Sequence, residues 1–188
     1  MSPLRKAARR AFSVVAASAW MFGAHMAQAD DPTELTAFVE TYRCAVLGRL
    51  QSLYKITDPA LNDHRYIVVA REDADQSYTQ CIFIENATRM LCEASSGFYF
   101  SAPNEPRTFV FPDSAKAELA SLGFDTSEQQ GNYQRFVGIQ GPQDLGAVAN
   151  LILTTLYRGY GARTNSEISL SAAVGPTIKK LQSCIPTS

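Results

Sequence analysis

The sequence is short of the residues on which catalysis and metal binding are usually built. Two of its 188 residues are histidine, and only His64 lies beyond the first 29 positions. The four cysteines contain no Cys-x-x-Cys pair, which removes the common dithiol redox and zinc-ribbon spacings. There is no Gly-x-Ser-x-Gly elbow and no phosphate-cradling glycine loop; Gly138-Ile139-Gln140-Gly141 reads as a strand end followed by a helix start. No apolar run approaches the roughly 20 residues that span a bilayer. Basic runs are missing too, so neither a nucleic-acid footprint nor a polybasic lipid anchor is present. No metal or cofactor is called for.

What is present begins with an address. Arg5, Lys6, Arg9 and Arg10 precede an apolar stretch from Ala11 to Ala24, and Ala27-Gln28-Ala29 stands before Asp30. This three-part layout predicts a signal peptide over 1–29 and a periplasmic or secreted chain starting at Asp30, with no membrane span once the signal is removed. Arg9-Arg10-Ala11-Phe12 also resembles a twin-arginine signal, so both export routes stand open. Four of the 17 basic residues fall in this leader, leaving 13 against 18 acidic ones and a net charge near −5. The remaining 159 residues make one domain, 30–188, large enough to bury its own core.

In an oxidising compartment four cysteines predict two disulfides, with three pairings open to them by count alone. Cys81 and Cys92 flank two strand-like runs meeting near Asn86-Ala87, so folding there sets Cys81 opposite Cys92 and Phe83 opposite Met90. Cys44 with Cys184 follows by elimination. Helical spacing supports this second pair: Leu35, Phe38, Val39, Tyr42, Val46, Leu50 and Leu53 form one stripe, and Cys44 falls opposite it, free to hold the C-terminal tail.

Further along, Tyr66 to Arg71 predicts a strand, Tyr78 to Glu85 with Arg89 to Ala94 a hairpin, and Phe98 to Phe100 with Thr108 to Phe111 more strand. A short helix capped by Asp113 or Ser114 ends at Gly123. Tyr133 to Ile139 alternates as a strand. Pro142 and Asp144 open a helix carrying Leu145, Val148, Ala149, Ile152, Leu156 and Tyr160 on one face, with Gly159 and Gly161 stopping it. Ile168 to Val174 predicts a short edge strand, and Thr177 to Cys184 a last helical segment. The sum is α+β: an antiparallel sheet of about five strands covered on one face by two long helices.

That order resembles the fold of type III secretion chaperones and of the bacterial TY-Chap and YbjN-like proteins. The local likeness runs over about residues 115 to 161: Leu122-Gly123-Phe124, then Gly131-Asn132-Tyr133 opening a strand, then a helix ending Thr155-Leu156-Tyr157-Arg158-Gly159-Tyr160-Gly161. The resemblance implies binding of protein segments. Those families work in the cytoplasm, and an exported, disulfide-linked chain departs from them.

Two functions are carried forward. The first is a non-enzymatic, chaperone-like envelope protein that binds a protein segment or associates with itself through its sheet. Its candidate residues are Phe98, Tyr99, Phe100, Phe109 and Phe111, an aromatic crowd that either closes a second small core or stays exposed. The second is a small periplasmic hydrolase or ligand-processing enzyme using His64 as a base. No acid and base stand at motif spacing, which puts the first ahead. Glu72-Asp73-Ala74-Asp75 lacks the glycine and the distant glutamate of a calcium loop and reads as an acidic hairpin tip. Asn86-Ala87-Thr88 reads as a turn rather than a glycan acceptor.

Overall fold

The computed structural model describes residues 32–100, 111–127 and 131–183; the expected signal peptide lies outside them. Helix α1 (Pro32–Tyr54) starts on proline, whose missing N–H costs nothing in a first turn. Its stripe buries Phe38, Tyr42, Val46, Leu50 and Leu53. The Phe38 ring meets Tyr42 edge-on at 5.2 Å and Tyr157 at 5.7 Å. The last turn of α1 has no basic residue. Buried Arg65 supplies a cation just beyond it, donating to the Ile56 carbonyl at 3.2 Å and lying 5.7 Å from the Phe83 ring centre. The carbonyl end of a helix favours such a charge.

Strands β1 (Tyr66–Arg71), β2 (Tyr78–Ile84) and β3 (Arg89–Ala94) follow, then helix α2 (Asp113–Ser121), strand β4 (Tyr133–Gly138), helix α3 (Leu145–Tyr160) and strand β5 (Ile168–Ala172). The five strands form one antiparallel sheet in the order β4-β3-β2-β1-β5. The fold is therefore α+β, with α1 and α3 packed together on one face of the sheet and α2 against α3. The β2–β3 register sets Cys81 opposite Cys92 and Phe83 opposite Met90, and the Cys81–Cys92 disulfide is formed in the core. The connecting loop holds Glu85, Asn86 and Ala87 at φ of 51°, 54° and 66°, and is closed by Thr88, whose N–H and hydroxyl both donate to Glu85 O. Cys44 is disulfide-bonded as well and sits exposed on α1, away from the buried stripe. Cys184, its expected partner, lies outside the described residues.

Beneath α1 and α3 the sheet presents Ile67, Val69, Thr79, Cys81, Phe83, Met90, Cys92 and Ala94, all buried. Leu145, Val148, Ala149, Ile152 and Leu156 of α3 close over them with no exposed surface, as the 3.6-residue spacing requires. Ahead of α3, the Asp144 carboxylate accepts the N–H groups of Gln140 and Gly141 at 2.7 and 3.2 Å, which holds the 3-10 turn Pro142–Asp144.

Several expectations are corrected. Phe98–Phe100 is a 3-10 turn rather than a strand. Ser95 and Ser96 hydroxyls accept the N–H groups of Gly97 and Phe98, and Gly97 adopts φ 77°, so side chains take the donors a strand would need. Thr108 to Val110 lie outside the described residues. The segment after Thr177 is extended rather than helical: Leu170 and Ile178 exchange both main-chain bonds at 2.8 Å, and the Leu181 N–H donates to Ile168 O at 2.7 Å. Arg49 of α1 donates to the carbonyls of Val174 and Pro176, fixing the turn into this strap. Gly159 does not stop α3; the helix continues to Tyr160 and ends at Gly161, φ 66°. Gly159 is instead a close approach, since a Cβ there would sit 2.5 Å from Leu119 of α2. Helix α2 begins after Pro112, without a side-chain cap from Asp113 or Ser114.

Candidate functional site

Side chains alternate across a strand, so the residues between the core positions face away from α1 and α3. On that open face Tyr66 lies opposite Ile82, Ile82 opposite Leu91, and Leu91 opposite Phe136. One apolar row thus crosses β1, β2, β3 and β4. Ile82 and Leu91 are half-buried by their neighbours, while Tyr66 is 39% and Phe136 54% exposed. The next row is polar. On β2, β3 and β4 Glu93 accepts from the amide groups of Gln80 and Gln134 on either side, and on β1 the polar row gives way to Val68, opposite Gln80. Between the rows lies a depression of about 320 Å³ lined by Tyr66, Gln80, Cys81, Ile82, Leu91 and Glu93. On the far side of the apolar row, Arg89 holds its guanidinium 4.5 Å from the Phe136 ring centre and 2.6 Å from Glu85.

The aromatic residues singled out from the sequence do not form one patch. Phe111 is half-buried and packs edge-on against Tyr133 at 5.8 Å and Tyr160 at 5.6 Å, at the border of the core. Tyr99 and Phe100 are exposed, at 64% and 44%, while Phe98 is half-buried and meets Tyr99 edge-on at 5.0 Å. Phe109 lies outside the described residues. This turn follows the C-terminal end of β3, whereas the Tyr66 row crosses the sheet near the N-terminal end of β3. Beneath it, the Tyr160 hydroxyl donates to Ser95 O at 2.7 Å, and buried Asn132 donates to Tyr78 Oη at 3.1 Å. Burial holds the Tyr160 phenol well above its ordinary pKa, so it stays a neutral hydrogen-bond donor.

His64 ends the 3-10 turn Pro59–His64 as an exposed side chain, and among the described residues no carboxylate or hydroxyl bonds to it. The acidic stretch after β1 is used in the fold: Asp73 pairs with Arg71 at 2.8 Å, and Glu72 accepts from the Ser169 hydroxyl. Among the described residues no group of His, Cys, Asp and Glu stands together as metal ligands would. Tyr66, Ile82, Leu91 and Phe136 were missed by reading the chain segment by segment. Their signal was a fault in alternation, because each is apolar where a one-face sheet wants a polar residue.

Fold and surface together define an α+β protein with one face of its sheet closed by helices and an apolar row on the other. No family model matches the chain, and neither a curated protein nor a solved structure matches it.

Proposed function

We propose that the protein is an exported, non-enzymatic binding protein, chaperone-like in the sense of the type III secretion chaperones its element order resembles, that holds a protein segment against the open side of its sheet. The observation that carries this is the row Tyr66, Ile82, Leu91 and Phe136, aligned in register across β1–β4 on the face turned away from α1 and α3. A sheet gains nothing for its own core from a phenylalanine at 54% exposure on an edge strand, whereas a partner covering the row removes that apolar surface from water. The buried Cys81–Cys92 disulfide fits an extracellular or periplasmic location and supports export.

Photo-crosslinkable residues in place of Tyr66 and Phe136 test the reading in the periplasm. A discrete protein adduct from these positions, missing when the same group replaces Glu40 on α1, is the expected result; equal labelling at all three, or none, overturns it. Sedimentation of the purified chain separates a foreign partner from self-association, which would appear as a dimer lost on Leu91→Ser.

A further inference from the structure

The two edges of the sheet are finished differently. On the β5 side the tail residues Ile178 and Leu181 take up the outward groups of Leu170 and Ile168. On the β4 side the Asp125 N–H donates to Gln134 O at 2.7 Å, which shows that Gln134 points its main-chain groups outward. The Ile139 N–H donates to Thr88 O at 2.8 Å, so Ile139 points inward. By alternation the N–H and C=O groups of Phe136 and Gly138 point outward, and no described residue bonds to them. Beyond them the Gln140 N–H is taken by Asp144, so the unpaired stretch is bounded at both ends. Edge strands are commonly guarded by lysine, proline or an inward charge. Arg135 is such an inward charge earlier in β4, spent on the Leu122 carbonyl, whereas Phe136 and Gly138 themselves carry no guard.

Resting on the reading that the open side of the sheet takes a protein segment, we propose that this segment enters as a sixth, antiparallel strand along Phe136–Gly138, with an acidic residue followed two positions later by an apolar one. Alternate residues of an added strand share a face, and antiparallel pairing sets the earlier residue opposite Gly138 and the later one opposite Phe136. The apolar side chain prolongs the Tyr66–Phe136 row by one strand. The acidic side chain enters the space over Gly138, where an added Cβ meets nothing within 4 Å. There it is beside Arg89, the register partner of Gly138, whose guanidinium already reaches the edge strand over Phe136. The Arg89–Glu85 pair is exposed on both sides, at 41% and 53%, and such pairs exchange partners at little cost. A second copy of β4 fits this edge poorly, because it would set Gly138 against Gln134, whose carbonyl Asp125 already occupies.

The test is a set of labelled seven-residue peptides, threonine and valine in background, read by fluorescence anisotropy against the full mature chain. The peptide carrying glutamate and then leucine two positions on is expected to bind at least tenfold tighter than the same peptide in reversed order. N-methylating its glutamate and leucine, which removes the two edge hydrogen bonds and keeps the side chains, is expected to weaken binding at least tenfold. Arg89→Gln is expected to abolish the preference for glutamate over glutamine while leaving the leucine-dependent part. Unchanged binding of the reversed or N-methylated peptide, with loss on Leu91→Ser, overturns strand addition and leaves the open-face reading standing. Binding of no peptide, together with no crosslink from Tyr66 or Phe136, overturns both. Concentration-dependent dimerisation blocked by Phe136→Pro overturns the foreign-segment occupant.

Discussion

Ile67, Cys81 and Cys92 lie on one side of the sheet, and Tyr66, Ile82 and Leu91, one position away along the same strands, lie on the other. The first three are buried; of the second three, Tyr66 is exposed and the others are half-buried. The strands supply apolar residues to both faces, and only the placement of α1 and α3 makes one set core and the other surface. Apolar character in a strand therefore measures affinity for a neighbour, without saying whether the neighbour belongs to the same chain.

The sharpest way to break the contrast is to cut matched aromatics from the two faces. Phe83→Ala, under the helices, is expected to destabilise by about 3 to 5 kcal/mol in urea unfolding, because it removes transfer energy and leaves a cavity. Phe136→Thr, on the open face, is expected to change stability by less than about 1 kcal/mol. Equal losses would show that Phe136 belongs to the core and end the binding reading.

The disulfide probes the covered face from inside. Cys81→Ala with Cys92→Ala is expected to cost about 2 to 4 kcal/mol, since the link joins adjacent strands under fully buried side chains. A loss below about 0.5 kcal/mol would mean that β2–β3 pairing alone holds this part of the core.

Gly159→Ala tests how closely the covering layer is fitted, because its Cβ would meet Leu119 at 2.5 Å. An overpacking loss of about 1 to 3 kcal/mol is expected, with relief when Leu119→Ala is added. Additive losses in the double variant would refute the close approach.

The smallest effect belongs to the exposed end of the sheet. Hydrogen bonding to Arg71 holds the Asp73 carboxyl below its ordinary pKa. A depressed carboxyl contributes stability that is present above its unfolded value, about 3.9, and lost as pH falls through the folded value. Asp73→Asn is thus expected to flatten the pH dependence of unfolding slightly below about pH 4, with no change near neutrality beyond loss of the ion pair. A difference confined to pH above 6 would contradict that sign.

Much of the architecture was legible. The stripes of α1 and α3, the β2–β3 register and strand β1 rest on periodicity and on neighbours close in sequence, which the chain states directly. The aromatic group from Phe98 to Phe111 failed as a unit because sequence proximity says nothing about direction: the chain turns through Gly97, and Phe111 meets Tyr133 and Tyr160, both distant in sequence. The tail failed for a related reason. Thr177 to Leu181 carries no strong pattern of its own, and its extended form comes from main-chain bonds to β5.

By itself the sequence determined where α1, α2, α3 and the central strands lie, and that the turn near Asn86 sets Cys81 opposite Cys92. Those facts follow from local periodicity and from the kinds of side chain present. Only the tertiary structure decided which face of the sheet α1 and α3 cover, that Tyr66, Ile82, Leu91 and Phe136 share one row, and that the tail closes one edge while no described residue pairs with Phe136 and Gly138 at the other. Each of these depends on which strands become neighbours, and strand order is set by the packing of residues far apart in the chain.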